Sequence, residues 1–590
     1  MKKLFSILFM LLLIACIASC DLSNNKPNND KEDEDNVSEE SNNETYKVKF
    51  LDEKGNVLGI ETVEKNKPID EPSYSIDGYD TISWLYNGKP WDFENDIVES
   101  NIELVIKTRE HIHELVNGTC KCGFKSDYNI IPTLSANDLK NLTATVTFWH
   151  TNGYANQQVL NDIIREFNKT YPNIKVEHSA QGSYVDLRQK ILKSMLNGQT
   201  PTIAQARPDD ISLFIERKVG SVYRGSRALD VFINHPLYGL TSEQLNDFDL
   251  NSLNQCKSFD FNERYYSLPF IRNTELLYFN ATWFQEKGLL EKYNLGTIKY
   301  VNDALTFVRN EGATLTWEQI EEIGKFFIAQ PEYKALSSAE KLENYALSYD
   351  DETNLFITLT KQWGGEYTKL TGENQGEFVF NNQASKSMVE WYKNAFKAGY
   401  FVTASAWGDP DAYTSDKFVS GVVKMNIASS AGAIYQDPGH NFVLGILPYP
   451  QRENSDEKYA FLNSVDLTLF HSKTAVEELA GWLFIKFLTT WTEGLPIEEQ
   501  PAYMWNTRTG YFPILSSVRN SLEYNNFLQE GTLNAIAQKI AWEQREYFYA
   551  APSFIGSSNC RDEVENLIEA VLYAGMSIES AYNNALNELQ

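Results

Sequence analysis

From residue 141 onward, apolar positions switch between the two-residue spacing of strands and the 3.6-residue spacing of helices. Val159, Ile163 and Phe167 share one helical face, and Pro172 marks the end of that helix. The intervening stretches are rich in β-branched and aromatic residues, which favour strands. The predicted order is strand 143–149, helix 157–170, strand 174–177, helix 182–198 and strand 201–206.

This alternation predicts an α/β fold in which helices cover both faces of a mostly parallel sheet. Ligands of such sheets bind beyond the carboxyl ends of the strands. Trp149 and His150 end one predicted strand, Tyr184 opens a helix, and Asp209 follows another strand. We therefore expect these aromatic and polar residues near one edge of the sheet.

Residues 46–109 have the pattern of a separate small β module. Positions 46–51 alternate as in a half-buried strand, and 57–63 and 102–106 predict further strands. The module resembles the internalin-type B repeat of bacterial surface proteins, and this resemblance rests on Gly78, Tyr79, Trp84, Asp92 and Phe93. Its expected role is that of a spacer, with an adhesive unit as the alternative.

The first residues have the pattern of an export signal. Two lysines precede an apolar run of about 15 residues at 4–18, shorter than the roughly 20 that span a bilayer. Ile-Ala-Ser-Cys at 17–20 resembles the lipobox of bacterial lipoproteins, which implies removal of 1–19 and lipidation of Cys20. The alternative is an ordinary signal peptide with an incidental cysteine. The lipoprotein interpretation predicts a lipid anchor on the extracellular face of the cytoplasmic membrane.

The segment 20–45 is almost purely polar, so it cannot bury enough apolar surface to offset the entropy of ordering. We interpret it as a disordered tether, with an acidic binding tail as the alternative. Over the whole chain, 52 basic and 80 acidic residues give a formal charge of −28. That charge argues against a nucleic-acid partner, which requires basic surface.

A linker at 110–140 follows the module and contains four candidate zinc ligands. These are His111, His113, Cys120 and Cys122. Two histidines and two cysteines can complete a tetrahedral zinc site, but the one-residue gaps are tighter than usual. The alternative is an exposed linker without metal, and we expect no resident cofactor.

Short motifs from residue 141 onward resemble those of family 1 extracellular solute-binding proteins, the ligand receptors of ABC importers. They include Phe148-Trp149-His150, Gly182-Ser183-Tyr184, Leu268-Pro269-Phe270, Gly421–Met425 and Thr509-Gly510-Tyr511. Any one of these motifs is weak, but their order along the chain is specific. The resemblance implies a two-lobe periplasmic-binding-protein type II fold over 141–590. It also implies a monomer that captures a carbohydrate between its lobes and docks on membrane permease subunits.

Carried over by position, the resemblance and the chemistry of sugars suggest a set of ligand-binding residues. Aromatic rings stack on the apolar faces of sugars, and planar polar groups bind the hydroxyls. The candidates are Trp149, His150, Tyr184, Asp209, Arg272, Asn273, Trp407, Ser429, Ser430, Asn463 and Tyr511. Trp505 is a further stacking candidate, while core packing is the alternative for each tryptophan and a structural hydrogen bond is the alternative for His150.

The nature of the ligand remains open between a neutral sugar or oligosaccharide and glycerol-3-phosphate or a glycerophosphodiester. The glycerol-3-phosphate branch has an arginine before the last helix, whereas this chain has Ser-Phe-Ile-Gly-Ser at 553–557. Arg272 could replace it, but a neutral sugar fits better. The rival classes are a surface glycosidase, which requires a pair of carboxylates across a cleft, and a surface adhesin.

Overall fold

The computed structural model describes part of the chain. The described residues are 44–72, 79–110, 115–116, 119–120, 131–215, 217–219, 222–257, 264–301, 304–372, 375–408, 413–453, 455, 457–472 and 474–589. The signal segment, Cys20, most of the tether and the zinc candidates His111, His113 and Cys122 lie outside them, as does the side chain of Cys120. The chain divides into two compact units, Met1–Ile112 and His113–Gln590.

The first unit contains one five-stranded sheet. Its strands are β1 (Thr45–Leu51), β2 (Val57–Glu64), β3 (Tyr79–Tyr86), β4 (Lys89–Pro90) and β5 (Ile102–Glu110). They lie in the order β2-β1-β5-β3-β4, with β1 parallel to β5 and the other pairs antiparallel. Phe50 and Trp84 pack edge to face with ring centroids 5.0 Å apart in a small core. The three strands expected at 46–51, 57–63 and 102–106 are present, while the B-repeat resemblance stays a prediction.

The second unit alternates strands and helices from residue 144 onward, as predicted. Its strands are β6 (Leu115–Val116), β7 (Thr119–Cys120), β8 (Ala144–His150), β9 (Ile174–Ala180), β10 (Ile203–Ala206), β11 (Lys218–Val219), β12 (Val222–Tyr223), β13 (Ser267–Asn280), β14 (Gly296–Val301), β15 (Ala304–Arg309), β16 (Leu347–Tyr349), β17 (Thr368–Gly372), β18 (Gln375–Phe378), β19 (Phe401–Thr403), β20 (Met425–Ser429), β21 (Leu444–Pro448), β22 (Ala460–Leu469) and β23 (Phe548–Tyr549).

The helices of this unit flank its largest sheet and fill the connections between strands. They are α1 (Ala136–Lys140), α2 (Tyr154–Thr170), α3 (Tyr184–Asn197), α4 (Pro208–Phe214), α5 (Asp230–Ile233), α6 (Ser242–Asp247), α7 (Leu250–Gln255), α8 (Ala281–Glu286), α9 (Leu289–Lys292), α10 (Trp317–Ala329), α11 (Pro331–Ala335), α12 (Ser338–Lys341), α13 (Glu352–Gln362), α14 (Gln383–Ala398), α15 (Ser415–Val419), α16 (Ala475–Thr489), α17 (Pro501–Thr509), α18 (Ser516–Arg519), α19 (Leu522–Phe527), α20 (Leu533–Glu543), α21 (Ser557–Leu572) and α22 (Ile578–Glu588).

The central sheet has ten strands, ordered β19-β16-β20-β13-β22-β10-β8-β9, with β21 beside β13 and β23 beside β22. The outer strands of each half pair in parallel, but β13 and β22 run antiparallel to each other through the middle. The first part of β13 pairs with β22, and its last part pairs with β20 and β21. These two long strands therefore join the two halves of the sheet.

Each half of the sheet has its own core. The first lobe buries β8 and β10 against α2 and α16, with Val146, Phe167 and Trp482 in the interior. The second lobe buries β16, β19 and β20 against α10, α13, α14 and α21. Two separate cores linked by crossing strands form the two-lobe architecture that the resemblance implied.

Local sequence signals account for the elements nearest the site. In α2, Val159, Leu160, Ile163 and Phe167 are buried, which confirms the predicted apolar face. Helix α3 begins with a capping box, in which the Ser183 side chain accepts from the Asp186 amide and the Asp186 carboxylate accepts from the Ser183 amide. Within the described ranges, no helix is both long and apolar enough to cross a membrane.

Candidate functional site

The loop that follows β8 is held by a glutamine from the neighbouring strand. The Thr151 amide donates to Gln205 Oε1 at 3.1 Å, and Gln205 Nε2 donates to Asn152 Oδ1 at 3.3 Å. Asn152 is only 4% exposed, yet its Nδ2 has no hydrogen-bond partner within the described residues. A buried amide donor of this kind is available to an acceptor on a ligand.

Behind the loop, His150, His178 and Asn161 form a row of hydrogen-bonded side chains. His150 is fully buried; its Nδ1 accepts from the Asn152 amide at 3.1 Å, and its Nε2 lies 2.9 Å from Nδ1 of His178. His178 Nε2 then contacts Asn161 Oδ1 at 3.0 Å. Burial, and to a smaller extent His178, lowers the pKa of His150 to about 4. His150 is thus a neutral group that supports the loop, which matches the structural alternative for this residue.

Tyr184 and Arg207 lie side by side at the carboxyl ends of the first-lobe strands. Tyr184 is the first residue of α3, and Arg207 directly follows β10. The Arg207 guanidinium carbon is 4.7 Å from the centroid of the Tyr184 ring, a cation–π geometry. Burial raises the pKa of the Tyr184 hydroxyl. Arg207 Nε is buried and lacks a partner among the described residues.

Four tyrosines from both lobes interact at this edge. Burial raises the pKa of the Tyr511 hydroxyl, and the nearby hydroxyls of Tyr184, Tyr413 and Tyr435 raise it further. The Tyr511 ring is stacked on Trp505 with centroids 6.0 Å apart and an interplanar angle of 4°. Tyr413 is 76% exposed and Tyr435 is also exposed, so these two second-lobe rings project into solvent. The effect of these hydroxyls on one another's pKa shows that rings of both lobes lie close together here.

Acidic residues and one arginine complete the second-lobe side. Asp350 and Asp351 follow β16, and burial raises the pKa of Asp350 to about 6 although the Thr414 amide donates to it at 2.8 Å. Arg561 is almost fully buried, and its Nη2 donates to Asn354 Oδ1 at 2.9 Å. Arg561 Nε lacks a partner within the described residues. The side therefore combines carboxylates with one partly satisfied guanidinium.

We call Thr151, Asn152, Tyr184, Arg207 and Tyr511 the first-lobe edge. We call Asp350, Asp351, Tyr413, Tyr435 and Arg561 the second-lobe edge. Together they offer aromatic faces, unpartnered N–H donors and carboxylate acceptors, which are the groups that bind a polyhydroxylated molecule.

Several predicted residues lie on the strands that join the lobes. Asn273 of β13 is paired in register with Asn463 of β22, and its Oδ1 accepts from Ser429 Oγ at 3.1 Å. Ser430 is fully buried, and its Oγ accepts from the Thr274 amide at 3.3 Å. Asn463 and Ser429 remain partly exposed between the lobes, whereas Asn273 and Ser430 hold the strands together.

Arg272 lies in the interior rather than at either edge. It is 1% exposed, and its Nη1 donates to Asp466 Oδ1 at 2.9 Å. Its Nε donates to Ser252 Oγ at 3.3 Å. A guanidinium held this way joins β13, β22 and α7, so the structure offers no support for Arg272 as a phosphate ligand.

Each predicted tryptophan makes packing or hydrogen-bond contacts within its own lobe. Trp149 packs against α3, with Lys190 Nζ 4.8 Å from its ring centroid. The Trp407 indole N–H donates to the Leu342 carbonyl at 3.0 Å. Trp505 is buried and contacts Phe270 as well as Tyr511. The rings brought together at the edges are tyrosines, and Trp505 supports one of them from behind.

Asp209 bridges the lobes instead of facing open space. Its Oδ1 accepts from Ser553 Oγ at 2.8 Å, in the segment before α21, and from Ser557 Oγ at 3.4 Å, at the first residue of α21. This segment is the one without an arginine, yet Arg561 follows one helical turn later and is attracted by Asp351 and Asp209. The stretch 553–557 has no arginine, as the sequence shows, but Arg561 of α21 supplies a cation nearby.

Sequence reasoning missed Asn152, Arg207, Tyr413, Tyr435 and Arg561. The rule that ligands bind beyond strand ends could have found Asn152 and Arg207, because Arg207 directly follows one predicted strand and Asn152 lies three residues beyond another. No comparable signal marks Tyr413 or Tyr435. Within the described residues, no group of three or more His, Cys, Asp or Glu side chains is placed to hold a metal ion.

Several solved structures share the fold of this chain at low sequence identity. UgpB from Mycobacterium tuberculosis, solved with glycerophosphocholine, has a TM-score of 0.57 at 17% identity over 76% of this chain and 98% of its own. Lmo0181 from Listeria monocytogenes, solved with cycloalternan, has a TM-score of 0.57 at 15% identity, and the alignment covers 76% of this chain and 98% of Lmo0181. MalE from Bdellovibrio bacteriovorus, bound to maltotriose, has a TM-score of 0.56 at 15% identity, and the alignment covers 76% of this chain and 98% of MalE.

A search of curated protein sequences finds no match. The sequence profile of the bacterial extracellular solute-binding proteins, however, matches residues 162–527. The match covers more than half of the chain and includes the crossing strands, the first-lobe edge except for Thr151 and Asn152, and most of the second-lobe edge. This chain belongs to the bacterial extracellular solute-binding protein family.

Proposed function

We propose that the protein is the carbohydrate receptor of an ABC importer and that it captures a neutral sugar or oligosaccharide between its lobes. The observation that carries the proposal is the meeting of Tyr184 and Tyr511 from one lobe with Tyr413 and Tyr435 from the other. Sugars present apolar C–H faces that stack on such rings. The solved structures with maltotriose and cycloalternan show that this fold accommodates oligosaccharides in other proteins.

The charges at the two edges favour a neutral ligand over a phosphate. Arg561 interacts with the carboxylates of Asp351 and Asp209 and already donates to Asn354, and Asp350 follows the same strand as Asp351. An anion would meet these carboxylates at close range, where like charges repel strongly. A neutral ligand accepts hydrogen bonds from Arg207 Nε and Asn152 Nδ2 and donates to the carboxylates.

Capture follows from the two-lobe architecture. The ligand binds first to the more fixed first-lobe edge, and rotation of the lobes about β13 and β22 brings Tyr413 and Tyr435 over it. The closed form then docks on the permease subunits. In this proposal Cys20 carries the lipid that keeps the receptor at the extracellular face of the membrane, where tethering raises its local concentration.

Isothermal titration calorimetry against a panel of neutral mono- and oligosaccharides tests the proposal. We expect binding of one ligand class at micromolar or tighter affinity without turnover. Tyr184→Ala and Tyr511→Ala should each weaken it about tenfold or more, as expected for lost stacking. Tyr300→Ala is the matched control, because Tyr300 is 74% exposed on β14, outside both edges. Sugar hydrolysis during the titration would instead indicate a glycosidase, and no binding of any sugar would sink the proposal.

A glycerophosphodiester is the second candidate, since Arg207 has an unpartnered buried N–H and the similar structure from M. tuberculosis was solved with glycerophosphocholine. Titration with glycerophosphocholine separates the two ligands. If the phosphodiester binds, Arg207→Gln should reduce its affinity by more than it reduces the affinity for any neutral sugar.

A further inference from the structure

The lobes also touch through a set of charged residues that belong to neither edge. Arg188 of α3 and Asp210 of α4 are both almost fully buried, and Arg188 Nη1 is 3.5 Å from Asp210 Oδ1. Both come from the first lobe, where Leu187 and Ile211 pack in one core with β10. At this distance the ion pair is weak, and Asp210 alone does not supply the hydrogen-bond acceptors that a buried guanidinium needs.

Helix α21 of the second lobe supplies the remaining partners. Arg188 Nη1 donates to Ser558 Oγ at 2.5 Å, and Arg188 Nη2 donates to Asp562 Oδ2 at 2.6 Å. Ser558 Oγ in turn donates to Asp210 Oδ1 at 2.5 Å. The four side chains form one connected network in which each lobe completes the hydrogen bonding of the other.

Further hydrogen bonds join α4 of the first lobe to the segment around the start of α21 in the second lobe, and we call this contact region the seam. Ser212 Oγ of α4 donates to the Phe554 carbonyl at 3.0 Å, and Ser553 Oγ donates to Asp209. Helix α21 belongs firmly to the second lobe, because Val564 and Leu567 are buried in its core. The seam therefore breaks whenever the lobes separate along α4.

We propose that Arg188 and Asp562 form an interlobe clasp that sets how much of the ligand-free protein holds its lobes together. Neither residue belongs to either edge of the candidate site. The clasp raises affinity by increasing the fraction of molecules already arranged for binding, because the apparent dissociation constant is the intrinsic one divided by that fraction. Arg188 and Asp562 are positioning residues in this account.

The test measures the lobe arrangement without any ligand, so it does not depend on the proposed function. Nitroxide labels are placed on the full chain at Leu196→Cys of α3 and Leu370→Cys of β17, both exposed and in different lobes. Pulsed electron resonance then gives the interlobe distance distribution, and the chain without the two new cysteines supplies the background. Asp562→Asn should shift the distribution towards longer distances.

Asp562 suits this test because its side chain is 39% exposed, so Asp562→Asn disturbs its own helix little while it weakens the pairing of Arg188 across the lobes. Glu563→Gln is the matched control on the next position of α21 and should leave the distances unchanged. Where a ligand is known, Asp562→Asn should raise its dissociation constant about fivefold, and high salt should reduce the difference between wild type and variant.

Arg188→Lys provides a second variant that keeps the charge but loses the two-pronged donation to Ser558 and Asp562. It should widen the distances less than Arg188→Met does, with folding checked by circular dichroism. An unchanged distance distribution for Asp562→Asn and Arg188→Lys would overturn the clasp, whatever the sugar panel shows. A failed sugar panel with widened distances would sink the proposed function and keep the clasp.

Discussion

The two edges of the candidate site are built in different ways. The first-lobe edge rests on buried groups: His150 orients its loop, and Trp505 stacks beneath Tyr511. The second-lobe edge presents Tyr413 and Tyr435, which are largely exposed. A surface supported from within the core and a solvent-exposed surface therefore belong to the same site.

Because of this difference, substitutions at the two edges should affect folding stability and ligand binding to different extents. Residues that support the first-lobe edge are part of the core of that lobe, so changing them should weaken folding as well as binding. Exposed rings of the second-lobe edge contribute little to folding, so changing them should affect binding alone. Three measurements can break or sharpen this comparison.

The largest expected effect is at His150. His150→Ala leaves a cavity and removes the acceptor of the Asn152 amide, so the free energy of unfolding should fall by about 3 kcal/mol. Urea unfolding followed by circular dichroism measures it. His440→Ala, at an exposed position, is the control and should change stability by less than about 0.5 kcal/mol. Equal effects of the two substitutions would show that the first-lobe edge does not depend on its buried support.

An effect of up to about 3 kcal/mol, reached only across the full pH range, should appear as opposite pH dependences of the two edges. The pKa of His150 is held at about 4, below its ordinary 6.5, so the unfolded chain binds the proton first and stability falls as pH drops from 6.5 to 4. The pKa of Asp350 is raised from 3.8 to about 6, so the native state binds the proton first and stability is lost as pH rises through 6.

Urea unfolding at pH 4, 5, 6 and 7 on wild type, His150→Asn and Asp350→Asn separates the two contributions. Relative to wild type, His150→Asn should flatten the loss of stability towards acid pH, and Asp350→Asn should flatten the loss between pH 4 and pH 6. If the free energy of unfolding varied with pH in the same way in all three proteins, the opposite contributions assigned to His150 and Asp350 would be wrong.

The smallest stability effect is expected at Tyr413. Tyr413→Ala should change the free energy of unfolding by less than about 0.5 kcal/mol, because the ring is 76% exposed. The same variant should weaken ligand binding about tenfold, which calorimetry measures. A substantial loss of stability together with unchanged affinity would reverse the roles given to the second-lobe edge.

The difference between the edges also explains which parts of the structure could be predicted from the sequence. The first lobe alternates long strands and an amphipathic helix, so the order β8-α2-β9-α3-β10 was predictable, and Tyr184 could be placed at a helix start. In the second lobe, β16 and β19 have three residues each, too few to show a period. Tyr413 lies after one of these short strands, and its neighbourhood with Tyr511 depends on contacts between remote parts of the chain.

The tryptophans show a second limit. Their size makes each one a plausible stacking surface, but the same size makes burial favourable, and hydropathy alone does not separate the two outcomes. Trp505 is buried beneath Tyr511 and Trp407 is turned towards Leu342. Arg272 was misjudged for a related reason, since its buried partner Asp466 lies almost two hundred positions away.

The stack of Tyr511 on Trp505 has a kinetic consequence. A ring immobilised during folding loses little rotational entropy when a guest arrives, so encounter with it requires no rearrangement. Solvated rings such as Tyr413 must be ordered afterwards. Substitutions beneath the stack should therefore mainly slow association, whereas those on the solvated rings should mainly speed release to the transporter.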